Sequence, residues 1–148
     1  MKLIDTHTHL FAKEFENDIN DVIQNAINTG VEKMLLPNID STTTKSMINL
    51  CQKFPKNCYP MIGLHPCSVQ IETVKTEIEN IKDELKKNKF VAIGEIGIDL
   101  YWNKTTHDVQ KEAFKTQIKI AKDKNLPIVI HTRNSFNEAY EIVEKLND

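Results

Sequence analysis

Near the N-terminus, Asp5-Thr6-His7-Thr8-His9 closes a short apolar run with a His-x-His pair. In an extended strand alternate side chains share a face, so His7 and His9 point one way and Thr8 the other. Two imidazoles offered side by side at a strand's end can hold a divalent cation. A bare His-x-His is equally compatible with two surface histidines in a polar turn. Two later apolar runs, however, also end in ligand-type residues, Glu95 and His131, and that repetition moves the balance to a metal site. Arg133 lies two positions after His131 and is the only arginine in a chain whose other basic residues are lysines. Its planar fork suits a carboxylate or a phosphate. A structural ion pair is the alternative.

Short β-like runs alternating with helical patterns would position these groups. Lys2 to Thr6 reads as a strand, and Phe15 to Thr29 carries a helical stripe of Ile19, Val22, Ile23, Ala26 and Ile27, closed by Gly30. Glu32 to Leu36 is the second strand, followed by a helix from Ser41 with Met47, Ile48, Cys51 and Phe54 on one face. Tyr59 to Leu64 is the third strand, and Val74, Ile78, Ile81 and Leu85 mark the third helix. Phe90 to Ile93 makes a short fourth strand, and the helix from Asp108 to Lys124 is stopped by Pro127. Ile128 to Ile130 is the fifth strand. A last helix opens with a Ser135–Glu138 capping box and is expected to bury Phe136, Ala139, Tyr140 and Val143.

Five consecutive β-α units with no linker predict a single α/β domain over residues 1–148. Strands apolar on both faces fit a parallel sheet covered by helices. An open doubly wound sheet and a TIM-type (β/α)8 barrel both fit the alternation. No Gly-x-Gly-x-x-Gly turn follows the first strand, which lowers the dinucleotide-binding version. Ligand-type residues at the C-terminal strand ends favour the barrel, whose chemistry sits at that rim. Eight units need ~250 residues, so 148 residues read as an incomplete barrel of five units, truncated at the C-terminus. The outer strands would then be open edges, and Val91, Ile93 and Val129 would lose the side chains meant to pack on them.

The net charge of −2 leaves no basic footprint for stable DNA binding. It does not exclude a nuclease, because metal ions can bring positive charge to the phosphate. No apolar run approaches the ~20 residues of a membrane span, and no signal-peptide core opens the chain. Cys51, Cys58 and Cys67 are odd in number and not spaced for zinc, as expected for reduced thiols in a cytoplasmic protein.

Four segments together carry a resemblance: Asp5-Thr6-His7-Thr8-His9, Gly63-Leu64-His65-Pro66, Gly94-Glu95-Ile96-Gly97-Ile98-Asp99 and Ile130-His131-Thr132-Arg133. The chain resembles the TatD family of metal-dependent deoxyribonucleases over essentially its whole length. The resemblance implies that His7 and His9 bind one divalent ion, that Glu95 is the catalytic carboxylate bridging two ions, and that His131 binds the second. It places His65 and Arg133 beside the substrate phosphate. It implies one or two divalent ions (Mg, Mn or Zn) and DNA, single-stranded or at ends, as substrate.

The residues themselves agree with those roles. A carboxylate can share its oxygens between two ions that clamp the attacking and leaving oxygens of a phosphodiester. Gly94 and Gly97 are expected to leave room beside Glu95 for cations and substrate. Asp5 is expected to orient His7. Asp99 reads either as a group orienting a ligand or loop, or as a turn residue. Tyr101 and Trp102 either stack on a base or pack in the core, and His107 is expected at the surface.

The chain departs from the family at two points. Asn134 stands where an acidic residue usually follows His-x-Arg, and two further ligands, a histidine and an aspartate from later strands, would lie beyond Asp148. Two alternatives therefore stand beside the deoxyribonuclease. One is a metal hydrolase of a non-nucleic substrate, although such barrels often bridge their metals with a modified lysine where this chain has Glu95. The other is a truncated, non-catalytic protein that self-associates through its sheet edges.

Overall fold

The computed structural model describes residues 2–147. Its five strands are β1 (Leu3–Asp5), β2 (Val31–Pro37), β3 (Cys58–Ile62), β4 (Ala92–Asp99) and β5 (Ile128–Arg133). They form one sheet in the order β1-β2-β3-β4-β5, every neighbouring pair parallel. The helices between and after them are α1 (Ile19–Asn28), α2 (Ser41–Lys53), α3 (Val74–Lys87), α4 (His107–Lys124) and α5 (Phe136–Leu146). Strand order follows chain order without reversal, and α2 touches α3, α3 touches α4 and α4 touches α5. A doubly wound sheet reverses its order and splits its helices between two faces. This sheet does neither. It is part of a TIM-type barrel wall.

Each helix turns its apolar stripe to the sheet. Ile23 of α1, Met47, Leu50 and Cys51 of α2, Ile78 and Ile81 of α3, and Ala113, Phe114, Ile118 and Ala121 of α4 are buried against Met34, Leu36, Ile62, Ile93, Ile96 and Ile98. Asp40 caps α2 by accepting the Thr42 N–H, with Thr43 closing the capping box. Asn125 ends α4 in the left-handed region at φ 52°, two residues before Pro127. Among the described residues no helix is long and apolar enough to cross a membrane. Cys51 and Cys58 are buried free thiols and Cys67 an exposed one, as expected.

Several expectations change. The first helix begins at Ile19, because Lys13–Phe15 forms a 3-10 turn whose i+3 bonds hold Phe15, Glu16 and Asp18. Strand β4 runs past Gly94 and Gly97 to Asp99, and β5 reaches Arg133, because Gly97, Ile98 and Asp99 pair with His131, Thr132 and Arg133. Glu95 and His131 therefore sit inside their strands. The room made by the glycines is filled by protein, not kept for ligands: a Cβ on Gly94 would lie 2.7 Å from the Val129 Cβ. Ile93, expected to lose its packing, is fully buried, whereas Val91 is 39% exposed.

Ser135 makes no capping bond. Its hydroxyl donates to the Ile98 carbonyl at 2.6 Å and accepts the Arg133 N–H, a better use for a buried donor at the end of β5. Helix α5 buries Ala139 and Ile142, while Phe136 and Tyr140 stack on each other in solvent, 69% and 56% exposed. Among the described residues nothing covers that face.

Candidate metal centre

Four of the chain's five histidines gather around one carboxylate. The Glu95 Oε2 lies 3.0 Å from His7 Nε2 and 3.5 Å from His9 Nε2. The other oxygen, Oε1, lies 2.9 Å from His131 Nδ1 and 3.7 Å from His65 Nε2. The carboxylate thus turns one oxygen to each pair of imidazoles. Two overlapping triads of ligand atoms result, His7–His9–Glu95 and His65–Glu95–His131, each within 4.8 Å.

Local structure produces this convergence. Register between β4 and β5 slips between Ile93 and Ile96, giving β4 one extra residue where Glu95 stands. A bulge of this kind re-aims a side chain beside a functional site. His7 and His9 follow β1, where the Thr8 N–H donates to the Leu35 carbonyl and extends the ladder for the His-x-His segment. Asp5 accepts the His7 backbone N–H at 3.1 Å. It fixes the main chain before the ligand, not the imidazole as expected.

Electrostatics keep the carboxylate ionised. Burial alone would push Glu95 up, but hydrogen bonds from His131 and His9 and the charges of His65 and His7 hold it well below the usual carboxylate range. His131 is pulled up, first by its bond to Glu95, against burial, and then by Asp99. Its Nε2 faces Asp99 Oδ2 at 2.8 Å, leaving Nδ1 to face the centre. A carboxylate behind the imidazole is the arrangement that sets the tautomer of a metal-binding histidine. Both readings of Asp99 find a contact: Oδ2 faces His131, and Oδ1 accepts the Tyr101 and Trp102 N–H groups of the following turn.

The hydrogen bond made by His65 separates it from the other three. The Cys67 backbone N–H donates to His65 Nδ1 at 3.1 Å. A neutral imidazole accepting at Nδ1 carries its proton on Nε2, and burial pushes this ring down to about 4, which keeps it neutral. His65 therefore offers the centre an N–H donor, suited to an oxygen of a bound anion. The donor set would fit a divalent cation at each face of Glu95: His7 and His9 on one side, His131 on the other, with the carboxylate offering a hard oxygen to each.

Arg133 lies outside this cluster. Its guanidinium sits 4.3 Å over the Tyr101 ring and 5.6 Å from Trp102, and both rings are exposed, which removes the core-packing alternative. Cys67 is pushed up to about 11, by partial burial first and then by Asp99, with Arg133 acting against them. The arginine is thus within electrostatic reach of the turn that holds His65. Asn134 adopts φ 55°, a left-handed conformation that asparagine tolerates. His107 is half-buried and faces Glu138 at 3.2 Å, away from the centre.

Three polar residues that shape the site carry no signal as ligands. Asn38, buried directly after β2, exchanges backbone bonds with β4: its N–H donates to the Gly94 carbonyl and its carbonyl accepts the Glu95 N–H. Gln110 and Gln117, two turns apart on α4, each grip one strand-end residue at both backbone groups. Gln110 bonds Asp99, and Gln117 bonds Leu64, which precedes His65. The available signal was two glutamines lying inside the apolar stripe of a core helix.

The model of the TatD related DNase family matches residues 4–148. The chain is 35% identical over 143 residues to the uncharacterized metal-dependent hydrolase YabD of Bacillus subtilis, an alignment covering 97% of this chain and 55% of that protein. It is 28% identical to the 3'-5' ssDNA/RNA exonuclease TatD of Escherichia coli, over 96% of this chain and 54% of the relative. The solved structure of YjjV, a TatD homologue from Escherichia coli, superposes with a TM-score of 0.88 at 26% identity, covering 98% of this chain and 56% of that one. The chain spans about half the length of the curated relatives it matches. Matched along nearly all of its own length by this family's model, the chain belongs to the TatD related DNase family.

Proposed function

We propose that this centre belongs to a divalent-metal-dependent phosphodiesterase that cleaves DNA, single-stranded or at its ends. The observation that carries the reading is the split of Glu95, one oxygen toward His7 and His9 and the other toward His131. The relatives support the substrate class, since one is named a 3'-5' ssDNA/RNA exonuclease. Divalent ions held there, of Mn, Zn or Mg, would supply Lewis acidity and an activated water at neutral pH.

The chain's own groups do the remaining work. Glu95 stays ionised and shared, Asp99 keeps His131 presenting Nδ1, and His65 Nε2, 3.2 Å from His131 Nδ1, is the N–H that a phosphate oxygen entering the centre would meet. The test is cleavage of a single-stranded oligonucleotide with Mn2+, against EDTA. Cleavage that EDTA abolishes is expected, and weak turnover is consistent with a chain half the length of its relatives. A chain that binds no Mn2+ in a calorimetric titration would end the reading.

Self-association belongs to the same proposal. Among the described residues, strands β1 and β5 have a hydrogen-bonded neighbour on one side only, and their surroundings are apolar: Leu3 and Ile4 at one end, Ile130, Phe136 and Tyr140 at the other, all at least 39% exposed. Parallel edges with unpaired backbone groups and apolar borders invite pairing. We expect light scattering to show a dimer that dissociates on dilution, and Phe136→Ser with Tyr140→Ser to shift it toward monomer. A monomer at every concentration would leave the edges unexplained.

A further inference from the structure

We infer that Tyr101, Trp102 and Arg133 form a stacking subsite for an unpaired base and its neighbouring phosphate, beside the metal centre. The inference rests on the nuclease reading above and deepens it. Both rings stand in solvent, Tyr101 at 55% and Trp102 at 70% exposure, meeting edge to face at 4.7 Å. Their display is not loose. The Asp99 Oδ1 accepts the N–H of Tyr101 at 2.9 Å and of Trp102 at 3.3 Å, while its Oδ2 holds His131 at 2.8 Å. One buried carboxylate therefore holds both the main chain that carries the exposed rings and a candidate ligand. Gln110 in turn bonds the Asp99 N–H and carbonyl, and the Leu100 N–H donates to the Arg133 carbonyl, tying the loop to β5.

Arg133 completes the subsite. Its guanidinium has no carboxylate partner among the described residues and lies over Tyr101, 4.3 Å from the ring centre. Stacking occupies the face of a guanidinium and leaves its in-plane donors available, a geometry suited to a phosphate beside a stacked base. Every base has a π-face, so such a platform tolerates sequence while requiring an unpaired strand. It also answers the charge problem. A chain of net charge −2 gains little from a general basic surface, and stacking supplies affinity that a phosphate backbone alone would not.

Trp102 is the chain's only tryptophan, so fluorescence excited beyond the tyrosine absorption band reports this loop alone. The experiment titrates the purified chain, in EDTA to prevent cleavage, with oligothymidylate and with an abasic strand of equal length. Oligothymidylate is expected to quench Trp102 and to bind roughly 10-fold tighter than the abasic strand. By anisotropy of labelled strands, Trp102→Ala and Tyr101→Ala should erase that preference, and Arg133→Lys should weaken both strands. Because both rings are exposed, circular dichroism of these variants should match the parent. Equal affinity for the two strands with no quenching overturns the inference, and Mn2+-dependent cleavage measured in parallel separates the two failures. If cleavage persists, only the stacking subsite falls; if the chain neither binds nor cleaves either strand, the nuclease reading falls with it.

Discussion

Glu95→Gln should abolish metal-dependent cleavage and weaken Mn2+ binding by more than the ~10–100-fold that loss of an outer-shell partner costs. Glutamine keeps the shape of the side chain but replaces one carboxylate oxygen with an NH2 group. That group cannot accept a bond or ligate a cation, so whichever pair of histidines it faces loses its shared ligand. The carboxylate is only 6% exposed, and four imidazoles lie within 3.7 Å of it. Its removal therefore strips charge balance from both triads at once. Folding should survive, at a cost of about 1–3 kcal/mol for the broken charged hydrogen bonds. Glu95→Asp should fall between, since one methylene fewer cannot reach both sides. Calorimetric Mn2+ titration and the cleavage assay together check this. A Gln variant that binds Mn2+ as tightly as the parent would show that the two triads are held by something other than this carboxylate.

The ligand-type residues were legible because their position follows from strand periodicity and their chemistry from their side chains. His7, His9, Glu95 and His131 could be placed together by noting that each follows or ends an apolar run. What escaped was decided by backbone groups needing partners in three dimensions. Gly94 and Gly97 read as room for cations and substrate beside Glu95, yet β4 continues through them because β5 closes against the missing side chains. Ser135 read as a cap, yet the carbonyl of Ile98, thirty-seven positions earlier, is the acceptor it bonds. Asn38, Gln110 and Gln117 reach the site through main-chain groups, those of Gly94 and Glu95, Asp99 and Leu64, and touch none of the ligand-type side chains. The misreading of α5 has a different source. Its apolar stripe is wider than the surface that β4, β5 and α4 offer it, so Phe136 and Tyr140 stay outside.

The close approach of β4 and β5 makes Gly97 the position least able to accept a side chain. Gly97 has φ 149° and pairs with His131, and a Cβ built on it would stand 2.0 Å from the His131 carbonyl oxygen. Both contacting groups are backbone, so no side-chain rotation relieves the clash. Either the ladder opens or β5 shifts, and both move His131 away from Glu95 and Asp99. Backbone strain of ~1–3 kcal/mol and overpacking of similar size both apply. Gly97→Ala should therefore cost about 3 kcal/mol or more in a urea unfolding experiment, a large share of what a domain this size can lose. The functional loss should exceed the stability loss. Even under conditions where the variant is folded by circular dichroism, Mn2+ affinity should drop, because His131 Nδ1 would no longer face Glu95 Oε1 across the bulge. An alanine variant with an unchanged urea midpoint and unchanged Mn2+ affinity would mean that β4 and β5 do not meet as closely as their pairing requires, and that His131 is positioned by some route other than this ladder.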